Sequence, residues 1–274
     1  MFRKPGNDSG RCVEIKDSKM VRPKKHLGQH FLRDENIARK IIAGLSGEVC
    51  NVVEVGPGTG ILSKYLLEDP ARNPFFFEVD SEAVIYLQQQ FPGISGKLAE
   101  KDFLKADLSV IPAPFAVIGN FPYNISSQIL FRVLEYRNSV PEVIGMFQKE
   151  VAERIASPPG SKKYGILSVL MKAWFDIEYL FTVNESVFYP PPKVKSAVIR
   201  LQRNKVKKLD CNEDLFILTV KTAFNQRRKT LRNALKGMIP AGTIPLPVIH
   251  ALLDNRAEQL SVTGFVELTR YLEG

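Results

Sequence analysis

The sequence has few of the residues that build metal centres, disulfide frameworks or membrane spans. Its three cysteines form no Cys-x-x-Cys pair, and its three histidines lack ligand spacing to one another or to a cysteine, so neither a disulfide framework nor a metal site is predicted. No apolar run reaches the roughly 18 residues that a membrane span needs. The N-terminus lacks the apolar core of a signal peptide, and Asp8, Glu14 and Asp17 are unlike a transit peptide. We therefore expect a cytoplasmic protein with no metal and no membrane partner.

Positive charge, in contrast, is in excess and unevenly distributed. The 274 residues carry a formal net charge of +9. Residues 1–40 hold 11 Lys/Arg against 5 Asp/Glu, and residues 200–236 hold 11 against 3. These two segments sum to +14, so the rest of the chain carries −5. A single basic tail would indicate only solubility, but two basic segments, one of them interleaved with aromatic residues, indicate a face that binds nucleic acid.

Short apolar runs alternate with segments of helical periodicity over the first two thirds of the chain. The predicted strands lie at 52–55, 75–80, near 98, and at 115–119 and 143–147. Asp34 and Ser81 precede two of the helical patterns and are candidate caps. Strands that alternate with helices indicate βαβ units, and hence a parallel sheet with helices on both faces. The expected fold class is therefore α/β and Rossmann-like.

The pattern changes from about Lys205, where helical periodicity continues without clear strands. This change predicts a small C-terminal all-helical domain that follows a polar, charged linker. The first 24 residues are polar and basic without periodicity, which indicates a mobile tail. The expected organisation is a tail over 1–24, a Rossmann-like domain over 25–204 and a helical, RNA-binding domain over 205–274.

A glycine loop, Gly56-Pro57-Gly58-Thr59-Gly60, follows the first predicted strand. A dinucleotide fingerprint needs Gly-x-Gly-x-x-Gly, but the sixth position here is Ile61. Glu78, at the end of the second strand, suits the two hydroxyls of a ribose, and Asp102, beyond the third strand, suits an adenine amine. Each carboxylate taken singly is better explained as a solvated loop residue. Together with the loop they indicate an adenosine without a pyrophosphate, as in S-adenosylmethionine.

The segment Gly119-Asn120-Phe121-Pro122-Tyr123 follows the fourth long apolar run. The side-chain carbonyl of Asn120 and the backbone carbonyl of Pro122 can accept hydrogen bonds from an amino group, and the Tyr123 ring can stack on a base. The string alone is equally well explained as a turn after a strand. Because the carboxyl ends of parallel strands meet at one edge of a sheet, we expect Gly56, Glu78, Asp102 and Asn120 to converge there.

Four motifs in the same order resemble those of a known family, the bacterial KsgA or RsmA rRNA adenine dimethyltransferases, which are related to the Erm resistance enzymes. The motifs are Gly28-Gln29-His30-Phe31-Leu32, Glu54 to Gly60, Asn120 to Ser126, and Phe188-Tyr189-Pro190-Pro191-Pro192-Lys193-Val194. The segment from Phe224 to Arg232 also resembles the second domain of that family. The resemblance runs from about Lys24 to the C-terminus.

The resemblance implies a class I S-adenosylmethionine-dependent methyltransferase domain and assigns roles to individual residues. The cofactor would be bound by His30, Leu32, Gly56, Gly58, Glu78, Asp102 and Asn120. Asn120 and Pro122 would position the amine, and Tyr123 and Phe188 would sandwich the adenine. The implied reaction is N6,N6-dimethylation of two adjacent adenosines in a hairpin near the 3′ end of 16S rRNA, within the small (30S) subunit or its precursor, by a monomeric enzyme. Two departures from the family pattern are His30, where it usually has Asn, and Phe121, where it usually has Leu.

Two other functions are compatible with parts of the sequence. Asn-x-Pro-Tyr motifs also serve DNA adenine methyltransferases, and the basic segments do not distinguish the two polymers; the family resemblance favours RNA. A non-catalytic ribosome-assembly factor could retain the fold, but a pure binder has no need of the complete set of Gly56, Glu78, Asp102, Asn120 and Tyr123. The sequence therefore favours an enzyme.

A basic stretch between residues 221 and 236 contains no carboxylate. Helical spacing would place Arg228 and Arg232 on one face, as well as Lys229 and Arg232. Such a face suits RNA phosphates, although a solvated helix surface explains it equally simply. The predicted RNA-binding residues are Arg227, Arg228, Lys229 and Arg232.

Overall fold

The computed structural model describes residues 21–240 and 245–274, which are built around one seven-stranded sheet. A separate ribbon consists of β1 (Phe31–Leu32) and β8 (Phe188–Tyr189). The strands of the sheet are β2 (Asn51–Val55), β3 (Asn73–Glu78), β4 (Leu98–Glu100), β5 (Phe115–Asn120), β6 (Glu142–Gln148), β7 (Phe175–Val183) and β9 (Ser196–Arg203). Their spatial order is β4-β3-β2-β5-β6-β9-β7.

The first five strands of the sheet, β2 to β6, are parallel to one another, and β9 and β7 are added antiparallel. The central strands are apolar and buried on both faces; Val53, Val117 and Val143, for example, are fully buried. Such continuous apolar runs are typical of parallel strands covered by helices. The order reverses between β2 and β5, where ligands bind in sheets of this kind. The predicted α/β, Rossmann-like class is confirmed.

Ten α-helices surround the sheet or follow it in the described ranges. They are α1 (Glu35–Ala43), α2 (Ser63–Glu68), α3 (Ser81–Gln90), α4 (Ser126–Glu135), α5 (Lys149–Ala156), α6 (Ile166–Trp174), α7 (Glu213–Asn225), α8 (Leu231–Ala234), α9 (Pro247–Leu253) and α10 (Val262–Glu273). Asp34 caps α1 as predicted, since its carboxylate accepts from two backbone N–H groups. The predicted cap Ser81 is instead the first residue of α3, and Asp80 caps that helix.

The last residues of the predicted N-terminal tail, 21–24, contact the sheet domain. Residues 1–20 lie outside the described ranges, but Val21 is buried against Phe31 and Ala83. The Lys24 ammonium binds the Asp80 carboxylate at 2.6 Å. Residues 21–24 thus have one buried apolar anchor and one ion pair to the sheet domain.

The C-terminal helices pack against the sheet domain through apolar side chains. Trp174 of α6 meets Phe216 of α7 edge to face, with ring centroids 5.9 Å apart. Both rings belong to one continuous core that extends from the sheet to Leu268 of α10. The boundary predicted at residue 205 falls between β9 and α7, and the two regions share that core. Among the described residues, no helix is long and apolar enough to cross a membrane.

A buried carboxyl group lies in β2 beside the glycine loop. Glu54 is 2% exposed, and its Oε2 accepts a hydrogen bond from the Ser63 hydroxyl at 2.7 Å. Burial raises the pKa of Glu54 to about 8, and the nearby charge of Glu78 acts in the same direction. The neutral form is therefore the one that this position favours.

This raised pKa predicts a particular dependence of stability on pH. The folded chain holds the Glu54 proton up to about pH 8, whereas the unfolded chain releases it near the ordinary value of 4.5. The free energy of unfolding should therefore fall as the pH rises between those two values. Glu54→Gln should remove this dependence. Near pH 8 the variant should melt above the wild type, by about 2–4 °C for each kcal/mol of difference in the free energy of unfolding. Calorimetry from about pH 5 to pH 8.5 measures the difference, and identical pH profiles for both proteins would contradict it.

Candidate active site

A cavity of about 300 Å³ opens at the carboxyl edge of β2, β3 and β5. Predicted site residues that line it are His30, Gly56, Gly58, Glu78, Asp102, Asn120, Pro122 and Tyr123. They come from five separate places in the chain, and the parallel sheet brings their strand ends to one edge. Apolar walls from Phe77, Val79 and Phe103 complete the cavity. The convergence predicted for Gly56, Glu78, Asp102 and Asn120 is thus found.

The Glu78 carboxylate is held by three backbone N–H groups. Its Oε2 accepts from Gly58 at 3.0 Å, and its Oε1 accepts from Val79 at 2.9 Å and from Asp80 at 3.0 Å. Burial raises the pKa of Glu78, and the three hydrogen bonds oppose that rise. The carboxylate is consequently fixed in direction, with about one of its four lone-pair sites, on Oε2, left to accept from a ligand hydroxyl in the cavity.

The glycine loop requires glycine at Gly58 in particular. Its φ is +57°, and a Cβ there would lie 2.8 Å from Cε1 of Phe31. Any side chain would therefore strain the backbone and collide with a ring of the cavity wall. The loop lets a ligand lie directly against the backbone, next to the N–H group that binds Glu78.

Asp102 lies two residues beyond the end of β4. Its Oδ1 accepts from the Leu104 N–H at 2.9 Å, which shapes the turn, and Lys105 approaches Oδ2 at 3.9 Å. The side chain is 35% exposed. One carboxylate oxygen is thus used to hold the loop, and the other is accessible to an amine.

Asn120 ends β5, and its side-chain amide has a defined orientation. Nδ2 donates to the backbone carbonyl of His30 at 2.8 Å. A carbonyl only accepts, so the nitrogen of the amide must be the atom that faces it. No described residue forms a hydrogen bond to Oδ1. The neighbouring Pro122 carbonyl accepts from the Ile125 N–H at 3.1 Å, which leaves its second lone pair.

Tyr123 is held at both ends of its side chain. Its hydroxyl lies 2.6 Å from the Ser196 hydroxyl, and its ring stacks on the imidazole of His30, with centroids 5.4 Å apart and planes at 28°. Burial raises the pKa of Tyr123, so the ring is neutral at physiological pH. Phe121, in contrast, is 1% exposed and packs on Phe147 in the core, as expected for an apolar replacement.

Two predicted site residues do not line the cavity. Leu32 and Phe188 are 2% and 4% exposed and form a cross-strand pair in the β1–β8 ribbon. Successive side chains of a strand point to opposite faces. Because Phe31 faces the cavity, Leu32 and its partner Phe188 face the apolar core. The expectation that Leu32 and Phe188 line the ligand site is corrected in this respect.

One group of positioning residues was missed by the sequence argument. Asp80 lies two residues beyond Glu78 in the chain. Its carboxylate accepts hydrogen bonds from Lys24 at 2.6 Å and from Gln29 at 3.2 Å. Burial raises the pKa of Asp80, but the hydrogen bonds from Lys24, Gln29 and the Glu82 N–H outweigh it and leave the pKa below its usual value. The spacing Glu78-x-Asp80 was visible, but Lys24 lies 56 residues away and carries no local signal.

The predicted helical face for RNA is not formed as expected. Residues 226–229 form a turn and a bend, Thr230 forms an isolated β-bridge with Arg256, and α8 covers only Leu231–Ala234. Arg227 and Arg232 pair with Glu258 at 3.1 Å and Asp254 at 2.8 Å, both from distant parts of the chain. Arg228 and Lys229 are exposed, and neither has an ion pair to any described residue. The basic stretch between residues 221 and 236 contains no carboxylate itself, but carboxylates from later in the chain lie against it in the folded structure.

Comparisons with known proteins agree over nearly the whole chain. A family model described as ribosomal RNA adenine dimethylase matches residues 20–273. The chain is similar to a Cytophaga hutchinsonii protein named ribosomal RNA small subunit methyltransferase A. The two are 54% identical over 93% of this chain and 98% of the relative. The protein of the same name from Flavobacterium johnsoniae is 53% identical over 92% of this chain and 97% of the relative.

Two solved structures share the fold. A dimethyladenosine transferase from Plasmodium falciparum is 26% identical, with a TM-score of 0.73, and covers 87% of this chain and 96% of its own. The 23S rRNA methyltransferase ErmE is 25% identical, with a TM-score of 0.60, over 87% and 99%. Both similarities include the C-terminal helices as well as the sheet, since the sheet domain alone is shorter than the matched share.

Proposed function

The chain belongs to the ribosomal RNA adenine dimethylase family, and from that premise we propose that it methylates two adjacent adenosines near the 3′ end of 16S rRNA. Each N6 amine receives two methyl groups from S-adenosylmethionine, giving N6,N6-dimethyladenosine. The names of the relatives support the small (30S) subunit or its precursor as the partner. We propose that the enzyme acts as a monomer in the cytoplasm, where ribosomal subunits are assembled.

The orientation of Asn120 is the observation that carries this proposal. Because Nδ2 is engaged by the His30 carbonyl at 2.8 Å, Oδ1 is the atom left to accept from an amine. The Pro122 carbonyl is two residues away and supplies a second acceptor. The site thus offers two hydrogen-bond acceptors, which suits the two N–H groups of an amine better than a hydroxyl. No carboxylate adjoins Asn120 in the chain.

The cofactor fits the donor set of the same cavity. S-adenosylmethionine supplies an electrophilic sulfonium methyl group when bound. Glu78 would accept from a ribose hydroxyl, Asp102 from the adenine amine, and Gly58 would let the nucleoside approach the backbone. The apolar walls exclude water, which strengthens each of these contacts.

The residues around the amine act by positioning and electrostatics. The N6 lone pair is delocalised into the adenine ring, and hydrogen bonds from N6–H to Asn120 Oδ1 and to the Pro122 carbonyl favour a tetrahedral nitrogen whose lone pair is available. These contacts would hold the N6 lone pair towards the methyl group that S-adenosylmethionine supplies, and the proton released from N6 would pass to solvent. Tyr123 offers a face for the flipped base.

Two rounds of transfer place different demands on these acceptors. An unmodified amine has two N–H groups, one for each acceptor, whereas a monomethylated amine has one. The second transfer therefore proceeds with a single N–H···O contact.

We propose that Phe188 contributes through packing: it pairs with Leu32 and so fixes the segment that continues to Pro190.

A methyl-transfer assay on small subunits that lack the modification tests the function. Asn120→Ala should abolish transfer, because the amine loses its side-chain acceptor, while cofactor binding measured by calorimetry mostly survives. Asn36→Ala, an exposed asparagine on α1, is the matched control and should remain active. Mass spectrometry of the wild-type product should show dimethyladenosine. Full activity of Asn120→Ala, a product that stops at monomethyladenosine, or methylation of duplex DNA instead would contradict the proposal.

The surface of the turn between α7 and α8 is proposed to contact RNA phosphates. Arg228 and Lys229 are exposed without described ion-pair partners, so their charges are available. Arg227 and Arg232 are each paired with a carboxylate. They belong to the same surface, but their positive charges are partly neutralised by these ion pairs. Phosphate contacts fix orientation and depend steeply on salt.

The salt dependence of binding distinguishes these residues. Arg228→Gln with Lys229→Gln should weaken binding to small subunits and reduce the slope of log affinity against log salt by about 1.4–1.8, the value for two phosphate contacts. Arg154→Gln with Arg270→Gln removes two exposed charges outside both basic segments and should reduce the slope less. Arg227→Gln and Arg232→Gln should have smaller effects than the first pair. Equal slopes for the two double variants would show that only net charge matters.

A further inference from the structure

His30 contacts three separate parts of the site. Its backbone carbonyl accepts from Asn120, its ring nitrogen Nδ1 lies 2.7 Å from the Pro190 carbonyl, and its ring stacks on Tyr123. The three contacts come from the end of β5, from the proline loop after β8 and from the turn before α4. Asn120 and Tyr123 are the residues to which the proposed reaction assigns the amine and the base.

The contact with Pro190 defines which ring nitrogen carries a proton. A backbone carbonyl can only accept, so Nδ1 of His30 must donate. The bond therefore fixes the orientation of the imidazole plane relative to the proline loop. A fixed plane is what a stacking contact requires, since offset stacking depends on ring orientation.

The ring of Tyr123 is restrained by two groups. Ser196 holds its hydroxyl at 2.6 Å, and His30 covers part of one ring face. Ser196 is fully buried in β9, so this first restraint is rigid. The His30 imidazole supplies the second, and both rings line the cavity.

We propose that His30 is a positioning residue, which holds the base-stacking face of Tyr123 through its ring and is itself aligned by the Pro190 carbonyl. This inference rests on the proposed methyl transfer to adenine. Asparagine, usual at this position in the family that the chain resembles, can donate to a carbonyl but offers no ring. The chain thus adds a stacked layer, His30–Tyr123–adenine, to the site.

The test separates the ring from the hydrogen bond under single-turnover conditions, with saturating S-adenosylmethionine and enzyme in excess over unmethylated small subunits. His30→Phe retains a ring without the donor, and His30→Asn retains a donor without the ring. We expect each to slow methyl transfer by about threefold to tenfold and His30→Ala to slow it by more than tenfold, in line with the usual strength of such contacts. His26→Asn, the same substitution at an exposed histidine, should leave the rate unchanged.

Two further measurements distinguish positioning from a structural role. If the ring acts through Tyr123, cofactor affinity should change less than twofold in all His30 variants, whereas the cofactor contact that the family resemblance implies for His30 would lower it. In a Tyr123→Ala background, His30→Asn should cause no further loss of rate, since the histidine acts through the tyrosine. An equal loss in both backgrounds, a rate in His30→Ala that is unchanged or faster, or a loss of cofactor affinity in the His30 variants would overturn the inference. Absence of activity in the wild type would instead overturn the proposed function.

Discussion

Three backbone N–H groups converge on one carboxylate, that of Glu78, and this contact joins the two strands that form the floor of the site. Gly58 belongs to the loop after β2, whereas Val79 and Asp80 follow β3. The loop can approach this closely because Gly58 has a positive φ and no Cβ. Asp102 and Asn120 then lie on either side, at the ends of β4 and β5, because parallel neighbours end at the same edge of the sheet.

The segment before β1 closes the same cavity from above. Lys24 and Gln29 bind Asp80, two residues after Glu78, and the His30 carbonyl binds Asn120. Exposed ion pairs contribute little, but the Asp80 side chain is fully buried, so loss of Lys24 would leave a desolvated charge. The N-terminal segment therefore links the end of β3, at Glu78, to the end of β5, at Asn120.

The sequence allowed the sheet edge to be predicted because strand ends have a local signature. Gly56, Glu78 and Asn120 each follow an apolar run, and the βαβ rule brings such ends together without further information. Leu32 and Phe188 were misplaced because a two-residue ribbon has too few residues to show which side chain faces the core. His30 departs from the pattern of the family, and its stack on Tyr123 depends on residues 93 positions apart, which periodicity cannot reveal.

The basic stretch was misjudged for a different reason. Arg228 and Arg232 were placed on one helix from spacing alone, but the chain turns at 226–229. Glu258 and Asp254 approach Arg227 and Arg232 from later in the chain. Charge counts over a sequence window ignore such tertiary partners, so availability of a cation is decided by the fold.

The central claim is that the pinned Glu78 carboxylate holds the ribose of the cofactor. Calorimetric titration with S-adenosylhomocysteine, the neutral product, tests it most directly. The wild type should bind S-adenosylhomocysteine and not NAD, and Glu78→Ala should weaken binding by about 1–3 kcal/mol, the usual cost of unpaired buried partners. Glu68→Ala, which removes the same charge from an exposed position, should bind as the wild type does. Equal binding of NAD, or unchanged affinity in Glu78→Ala, would contradict the account.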